Sequence, residues 1–178
     1  MTGDNNIIVR ELTADDLPAR IADLGAILTA CVHDGASVGF ILPFTAADGE
    51  AFWRDGILAE LRAGGLVLLV AERDGRTVGT VQLDHATKPN QRHRAEVRKL
   101  LVHPDARRGG IATRLMAEIE RRAKGLGRTL LTLDTRTGDG AEPLYLGLGY
   151  EIAGRIPDFC RDTITDRLDP TTILYKRI

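Results

Sequence analysis

The chain has 178 residues, 43% hydrophobic and 28% charged, proportions that suit one globular domain with a sizeable core. Its formal net charge of −1 argues against a broad basic surface for nucleic acid. There is no long apolar span, the opening MTGDNNIIVR lacks a signal-peptide core, and Cys31 and Cys160 form no CxxC pair. A membrane protein, a zinc site and a disulfide framework are therefore not expected, and a reduced, cytoplasmic protein is.

In chain order, Ile7–Leu12 reads as a first strand, and Thr13 as the cap of a helix running to about Val32. His33–Phe44 is a Gly- and Pro-containing loop, and Thr45–Arg62 a second helix with Phe52, Leu58 and Leu61 among its apolar positions. Leu66–Glu72 and Arg76–Leu83 are β runs joined by Asp74-Gly75, a hairpin signal. Ala95–His103 is a further strand, broken by Pro104-Asp105. In Ile111–Lys124, Ile111, Leu115, Ile119 and Ala123 recur at helical spacing, and Met116 widens the stripe. Thr129–Asp134 is a strand, Ala141–Leu148 a short helix, Tyr150–Ile156 a strand, Asp158–Asp169 an irregular polar segment, and Thr171–Arg177 a last strand. No repeat or interdomain linker interrupts the order β-α-α-β-β-β-α-β-α-β-β, which predicts one α/β domain, residues 1–178, with a mixed sheet.

The turn between the Ala95–His103 strand and the following helix carries the clearest chemistry. Arg107-Arg108-Gly109-Gly110 opens that helix, and cations at a helix N-terminus oppose its dipole. The placement makes sense when an anion sits there: glycines let a phosphate approach the free N–H groups, and the arginines favour its charge. No Gly-Lys-Ser/Thr or GxGxxG occurs at this turn, which removes the common nucleotide motifs. Gly35-Ala36-Ser37-Val38-Gly39 matches the G-x-S-x-G nucleophile elbow, but a helical pattern precedes it and no helix signal follows, so a serine hydrolase is not expected. The four histidines have no metal spacing.

Arg107 to Ala112 does match R-x-x-G-x-A, with a strand before, a helix after and the later segment GAEPLYLGLGY, Gly140–Tyr150. With these the chain resembles the GNAT superfamily, the GCN5-related N-acetyltransferases, over nearly its whole length. The resemblance implies a mixed, mostly antiparallel sheet of six to seven strands flanked by about four helices, with splayed central strands. It also implies acetyl-CoA as co-substrate, no metal, and direct transfer of an acetyl group to a primary amine. The pyrophosphate would be held by Arg107, Arg108, Gly109, Gly110, Ile111 and Ala112, and the pantetheine arm by the main chain of Leu100, Leu101 and Val102.

Two side chains are then expected at the chemistry. Tyr145 resembles the family tyrosine that protonates the coenzyme-A thiolate, and it would also contact the cofactor; the alternative is a hydrogen-bonded core tyrosine. Glu96 is the leading general base for an amine of pKa about 10. Its alternative is an ion pair with Arg98, on the same strand face. The family asparagine seven residues before the tyrosine is here Gly138, and Asp139 is expected to cap the short helix instead.

HDGASVGF (His33–Phe40), KPN (Lys88–Asn90), RAEVRKLLV (Arg94–Val102), LLTLDT (Leu130–Thr135) and the Pro170–Lys176 strand resemble the tabtoxin-resistance acetyltransferases, which act on an amino-acid-like toxin. By that resemblance the His33–Phe44 loop, with His33 and Phe40, belongs to the acceptor wall; Asp134, at the end of the strand before Tyr145, is expected to bind the substrate ammonium or orient a water, unless it is a strand-end carboxylate bonded to a turn. The expected partner is a small-molecule amine, with neither nucleic acid nor membrane, and relatives often form a homodimer through the late strands. Two other readings stay open: acetylation of a protein lysine or N-terminus, and a catalytically silent acetyl-CoA sensor, which the glycine at 138 permits.

Overall fold

The computed structural model describes residues 7–178. Its sheet has seven strands: β1 (Ile7–Leu12), β2 (Leu66–Arg73), β3 (Arg76–Asp84), β4 (Arg94–Val102), β5 (Leu130–Arg136), β6 (Glu151–Arg161) and β7 (Leu168–Arg177). They lie in the order β1-β2-β3-β4-β5-β7-β6, and every pair is antiparallel except β4–β5. The helices are α1 (Ile21–His33), α2 (Ala46–Ala51), α3 (Leu58–Ala63), α4 (Ile111–Gly125) and α5 (Ala141–Gly147), with one π-helical turn, Phe52–Ile57, joining α2 to α3. This is the mixed, mostly antiparallel architecture expected.

The run LVLLVA in β2 is apolar throughout because both of its faces are covered. Val67, Leu69 and Ala71 pack in the core that holds Ile111, Leu115 and Ile119 of α4. Leu66, Leu68 and Val70 pack in the opposite core, with Leu24 of α1 and the Trp53 and Ile57 that follow α2. A third cluster joins Ile27, Leu28 and Val32 of α1 to Leu101 and Phe44, and so ties the loop after α1 to β4.

α1 and α2 cross at a pair of glycines. A Cβ on Gly49 would lie 2.5 Å from Thr29 Oγ1 and 2.7 Å from the Gly25 carbonyl. Gly49→Ala gains about 1 kcal/mol of helix propensity, but it drives a methyl into backbone that has no rotamer to yield, an overpacking cost of about 1–3 kcal/mol. A net loss of stability, seen as a lower Tm in thermal unfolding, is the expected result.

Three segments depart from the sequence reading. Thr13 does make its cap: its Oγ1 accepts from the Asp16 N–H at 3.3 Å, and Asp16 Oδ2 accepts from the Thr13 N–H at 2.9 Å. The chain then takes a 3-10 turn, Leu17–Arg20, and α1 begins only at Ile21, because Pro18 restricts the backbone just after the cap. The second helix starts where expected, at a capping box of Thr45 and Asp48, but is interrupted by the π turn. Asp158–Asp169 is not irregular throughout: β6 continues to Arg161 and β7 starts at Leu168. Almost every residue of β6 is exposed, so the edge strand has no inward face to print an alternation.

The β6–β7 turn is organised by Asp162. Its Oδ1 accepts from the amides of Ile164 and Thr165 at 3.1 and 2.7 Å and from Thr165 Oγ1 at 2.9 Å. These bonds, first that from the Thr165 amide, pull its carboxyl down to about 2. A depressed carboxyl stabilises the fold above the unfolded-state value of about 3.9 and loses that contribution as pH falls through the folded one. The protection of the Ile164 and Thr165 amides, taken relative to the intrinsic exchange rate at each pH, is therefore expected to fall between about pH 4 and 2, ahead of global unfolding; unchanged protection there would show that the turn does not depend on the carboxylate.

Candidate active site

The ladder between β4 and β5 is short. Arg94, Ala95 and Glu96 pair with Leu130, Leu131 and Thr132, and there it stops, although β4 runs on to Val102 and β5 to Arg136. The cause lies on the other side of β4. Between the partners Gln82–Arg98 and Thr80–Leu101, β3 has one residue and β4 has two, Lys99 and Leu100. Lys99 takes the extra residue at φ 52°. A bulge twists and redirects its strand, and β4 turns away from β5. The splayed central strands expected from the sequence are therefore present, and a cleft of about 840 Å³ opens in the notch. Leu100, Leu101 and Val102 line it, while Leu101 is buried against α1 residues and the other two pack on the α4 core.

One end of the cleft is the arginine-glycine turn. All of Arg107–Ala112 except Gly109 reach its wall. Arg108 at φ 64° and Gly110 at φ 74° turn the chain sharply into α4, whose N-cap has no side-chain bond. Arg114 donates to the Gly110 carbonyl at 3.1 Å, so the N–H groups of Ile111, Ala112 and Thr113 have no partner inside the helix. Arg107 is less free than its sequence implies. It pairs with Asp34 and donates to the Val102 carbonyl at 3.3 Å, bracing the turn against the loop after α1. Behind the turn, Gly79 lets α4 sit close: a Cβ there would be 3.0 Å from Ile111 Cγ2 and 3.1 Å from the Leu101 carbonyl.

Tyr145 stands on α5 at the cleft wall, 7% exposed, with its ring edge-on to Tyr150 at 5.8 Å. Burial, and then the carboxylates of Asp134 and Asp139, push its phenol far above the usual range, so it is fully protonated. Gly138 takes φ 79° in open space. Asp139 does not cap α5, whose N-cap is Gly140; it accepts from the Gly140 N–H at 2.7 Å and pairs with Arg136 at 3.4 Å.

The remaining predicted residues divide. Asp134 lines the cleft, exposed, with Oδ2 accepting from Thr171 Oγ1 at 2.9 Å. Glu96 is exposed on β4 one position short of the cleft wall, which begins at Val97. The ion pair with Arg98 does not form: Arg98 is engaged by Gln82 at 2.9 Å, by Asp84 at 3.2 Å and by Glu60. His33 is exposed and its Nε2 is bonded to the Phe44 carbonyl at 2.7 Å, so it anchors the loop and does not line the cleft. Phe40 packs against Phe44 and Phe52, beneath the residues that do.

Other cleft residues carry no individual signal in the sequence, although the loop after α1 does as a whole. Val38 and Ser37 come from the loop after α1, and Phe159, Cys160 and Thr171 from the β6–β7 hairpin. The loop and the hairpin hold each other: Ser37 Oγ lies 3.3 Å from Cys160 Sγ, Thr163 Oγ1 donates to the Ala36 carbonyl at 2.9 Å, and Leu42 N–H donates to the Thr163 carbonyl at 2.9 Å. Ser37 has this contact in place of a catalytic histidine, and no helix follows Gly39, so the G-x-S-x-G match is no nucleophile elbow. Among the described residues no cluster of His, Cys, Asp and Glu gathers to hold a metal, and no helix is long and apolar enough to cross a membrane.

Comparison with known proteins gives this arrangement a place. An uncharacterized N-acetyltransferase from the hisH-hisA intergenic region of Azospirillum brasilense is 30% identical over 114 residues, 63% of this chain and 66% of that protein, just under two thirds of its length. The ribosomal-protein-alanine N-acetyltransferase of Brucella melitensis is 27% identical with a TM-score of 0.75, over 96% of this chain and 99% of that one. The fold of yncA from Salmonella typhimurium, solved with its cofactor acetyl-CoA, is similar at 19% identity and a TM-score of 0.75, over 97% and 94% of the two chains. The acetyltransferase (GNAT) family model matches residues 32–150. That match runs from the end of α1 to Tyr150 and takes in the strand notch, the arginine-glycine turn and Tyr145: the chain belongs to the acetyltransferase (GNAT) family.

Proposed function

We propose that the chain works as one acetyl-CoA-dependent N-acetyltransferase domain that transfers an acetyl group directly to a primary amine of a small molecule. One observation carries the reading: the notch where β4 leaves β5 joins the open N-terminus of α4 to Tyr145 in a single cleft. The residues fit the cofactor. The unpartnered amides of Ile111, Ala112 and Thr113, with Arg108, would take a pyrophosphate, and the unpaired edge of β4 from Leu100 to Val102 would take the amides of a pantetheine arm. When bound, acetyl-CoA supplies an acetyl group activated as a thioester.

The chain's own groups then handle two protons. An amine of pKa about 10 has to shed one. Asp134, exposed in the cleft and oriented by Thr171, can accept it directly or through water, and Glu96, just outside the wall, through a water. At the leaving sulfur, Tyr145 offers a proton. Its phenol lies far above a thiol's pKa of about 8.5, so outright transfer is uphill; the hydroxyl stabilises the sulfur by hydrogen bonding, and gives up its proton as another replaces it.

Acceptor class is the finer part. The segments that resemble the tabtoxin-resistance branch support an amino-acid-like amine. The likeness to a ribosomal-protein-alanine acetyltransferase favours a second reading, a protein N-terminus. The free thiols Cys31 and Cys160 support a reducing, cytoplasmic setting, and a homodimer through the late strands would pair the exposed β6 edge. Calorimetry with acetyl-CoA, beside thiol release on amino acids, polyamines, aminoglycosides and short peptides, tests the proposal. Binding with release for a small amine is the expected result. Release only with peptides would move the activity to proteins, and no binding would overturn it.

A further inference from the structure

Lys99 is a cleft residue that the acetyl-transfer reading does not use. The bulge of β4 places it at φ 52°, a conformation that side chains rarely take, and directs it into the cleft wall. Its Nζ donates to the Val38 carbonyl at 2.6 Å and lies 5.7 Å from the ring centroids of both Phe40 and Phe52. It has no carboxylate within 4.0 Å among the described residues, whereas Lys176 is clamped by Glu120 at 2.7 Å and Arg98, its chain neighbour, by Asp84 and Glu60. Burial, and then Arg98, lower its proton affinity, while Asp134, Glu60 and Glu96 act the other way. A half-buried ammonium with one hydrogen bond and two N–H groups to spare is a site for a counter-ion.

The cofactor's phosphates do not reach it. Lys99 precedes Val102 by three residues, roughly 10 Å of strand, and the phosphate-binding turn lies beyond Val102, whose carbonyl holds Arg107. Lys99 stands instead where the loop after α1 meets the notch, with Asp134 on the facing strand near enough to influence its charge. A cation and a carboxylate so disposed suit a molecule that carries both charges.

We propose that Lys99 anchors a carboxylate of the acceptor, so that the acetylated amine belongs to an amino acid and not to a simple amine or a polycation. This rests on the acetyl-transfer reading above. The aromatic rings and the Val38 carbonyl hold the ammonium in place, and Asp134 receives the amine end.

Matched acceptors test it: α-, β-, γ- and ε-amino acids against the same compounds as carboxamides, with thiol release read as kcat/KM. The native enzyme should prefer one free acid over its amide by roughly 10- to 100-fold, the size of a charge-assisted bond, chiefly through KM. Lys99→Gln should bring that ratio to about one and Lys99→Arg restore much of it, with acetyl-CoA binding by calorimetry confirming that each variant is folded. Equal use of acids and amides by the native enzyme, or a ratio that survives Lys99→Gln, overturns the carboxylate anchor and leaves acetyl transfer standing. Acetyl-CoA binding with no release from any amine or peptide overturns both.

Discussion

Replacing Tyr145 with phenylalanine is expected to lower the turnover of acetyl transfer by about a hundredfold, with acetyl-CoA affinity nearly unchanged. The ring stays: it is buried against Tyr150, and phenylalanine preserves that packing. What goes is one hydroxyl, for which the described side chains offer no hydrogen-bond partner, so the variant loses no internal bond and stability should hold. The loss therefore falls on the step in which sulfur gains charge. A kcat within tenfold of native would remove Tyr145 from proton donation. In that case water in the cleft or the departing amine proton would have to serve the thiolate. Single-turnover kinetics place the effect on chemistry, and calorimetry with acetyl-CoA separates it from binding.

Gly110→Val should act at the other end of the cleft, on affinity. Gly110 is at φ 74° with open space where a Cβ would project, so no clash opposes a side chain. The conformation does: a β-branched residue held there costs about 1–3 kcal/mol, and the turn relaxes to avoid it. Relaxation moves the amides of Ile111 to Thr113 out of their common direction. Losing even one charge-assisted bond of about 1.5–3 kcal/mol raises Kd by roughly 10- to 100-fold. The expected result is a large increase in the acetyl-CoA Kd, with the Tm falling modestly, since α4 keeps Ile111, Leu115 and Ile119 in the core. Unchanged affinity would mean that the phosphates bind elsewhere. The two variants thus split the cleft: one should alter turnover at constant affinity, the other affinity first.

Much of this site was legible in the chain because its signals are local. The turn from Arg107 to Ala112 is contiguous, and the unfavourable arginines at a helix start announce an anion without tertiary information. Tyr145 sits in a short helix at a readable distance from that turn. Glu96 and Asp134 are legible as carboxylates in strands, but their distance from the cleft depends on pairing: Asp134 is in its wall, and Glu96 falls one position short. The loop of His33 and Phe40 reads as an acceptor wall. The fold instead uses His33 to tie down Phe44, and Phe40 to carry Lys99. Lys99 shows the limit most clearly. In RAEVRKLLV it is one of two adjacent basic residues, and nothing in the alternation of that strand marks the extra residue.

The order of elements, the helix stripe of α4, the cap at Thr13 and the arginine-glycine turn could all be read along the chain. All of these follow from periodicity and neighbour chemistry within a few residues. The end of the β4–β5 ladder, the residues of the β6–β7 hairpin and of the loop after α1 that share the cleft, and the inward face of Lys99 emerge with the fold alone. Those outcomes depend on pairing register and on contacts between segments far apart in the chain, such as Val38 with Lys99 and Ser37 with Cys160. A one-residue bulge changes which way every following side chain points, and its position is set by the partner strand, not by the residues that form it.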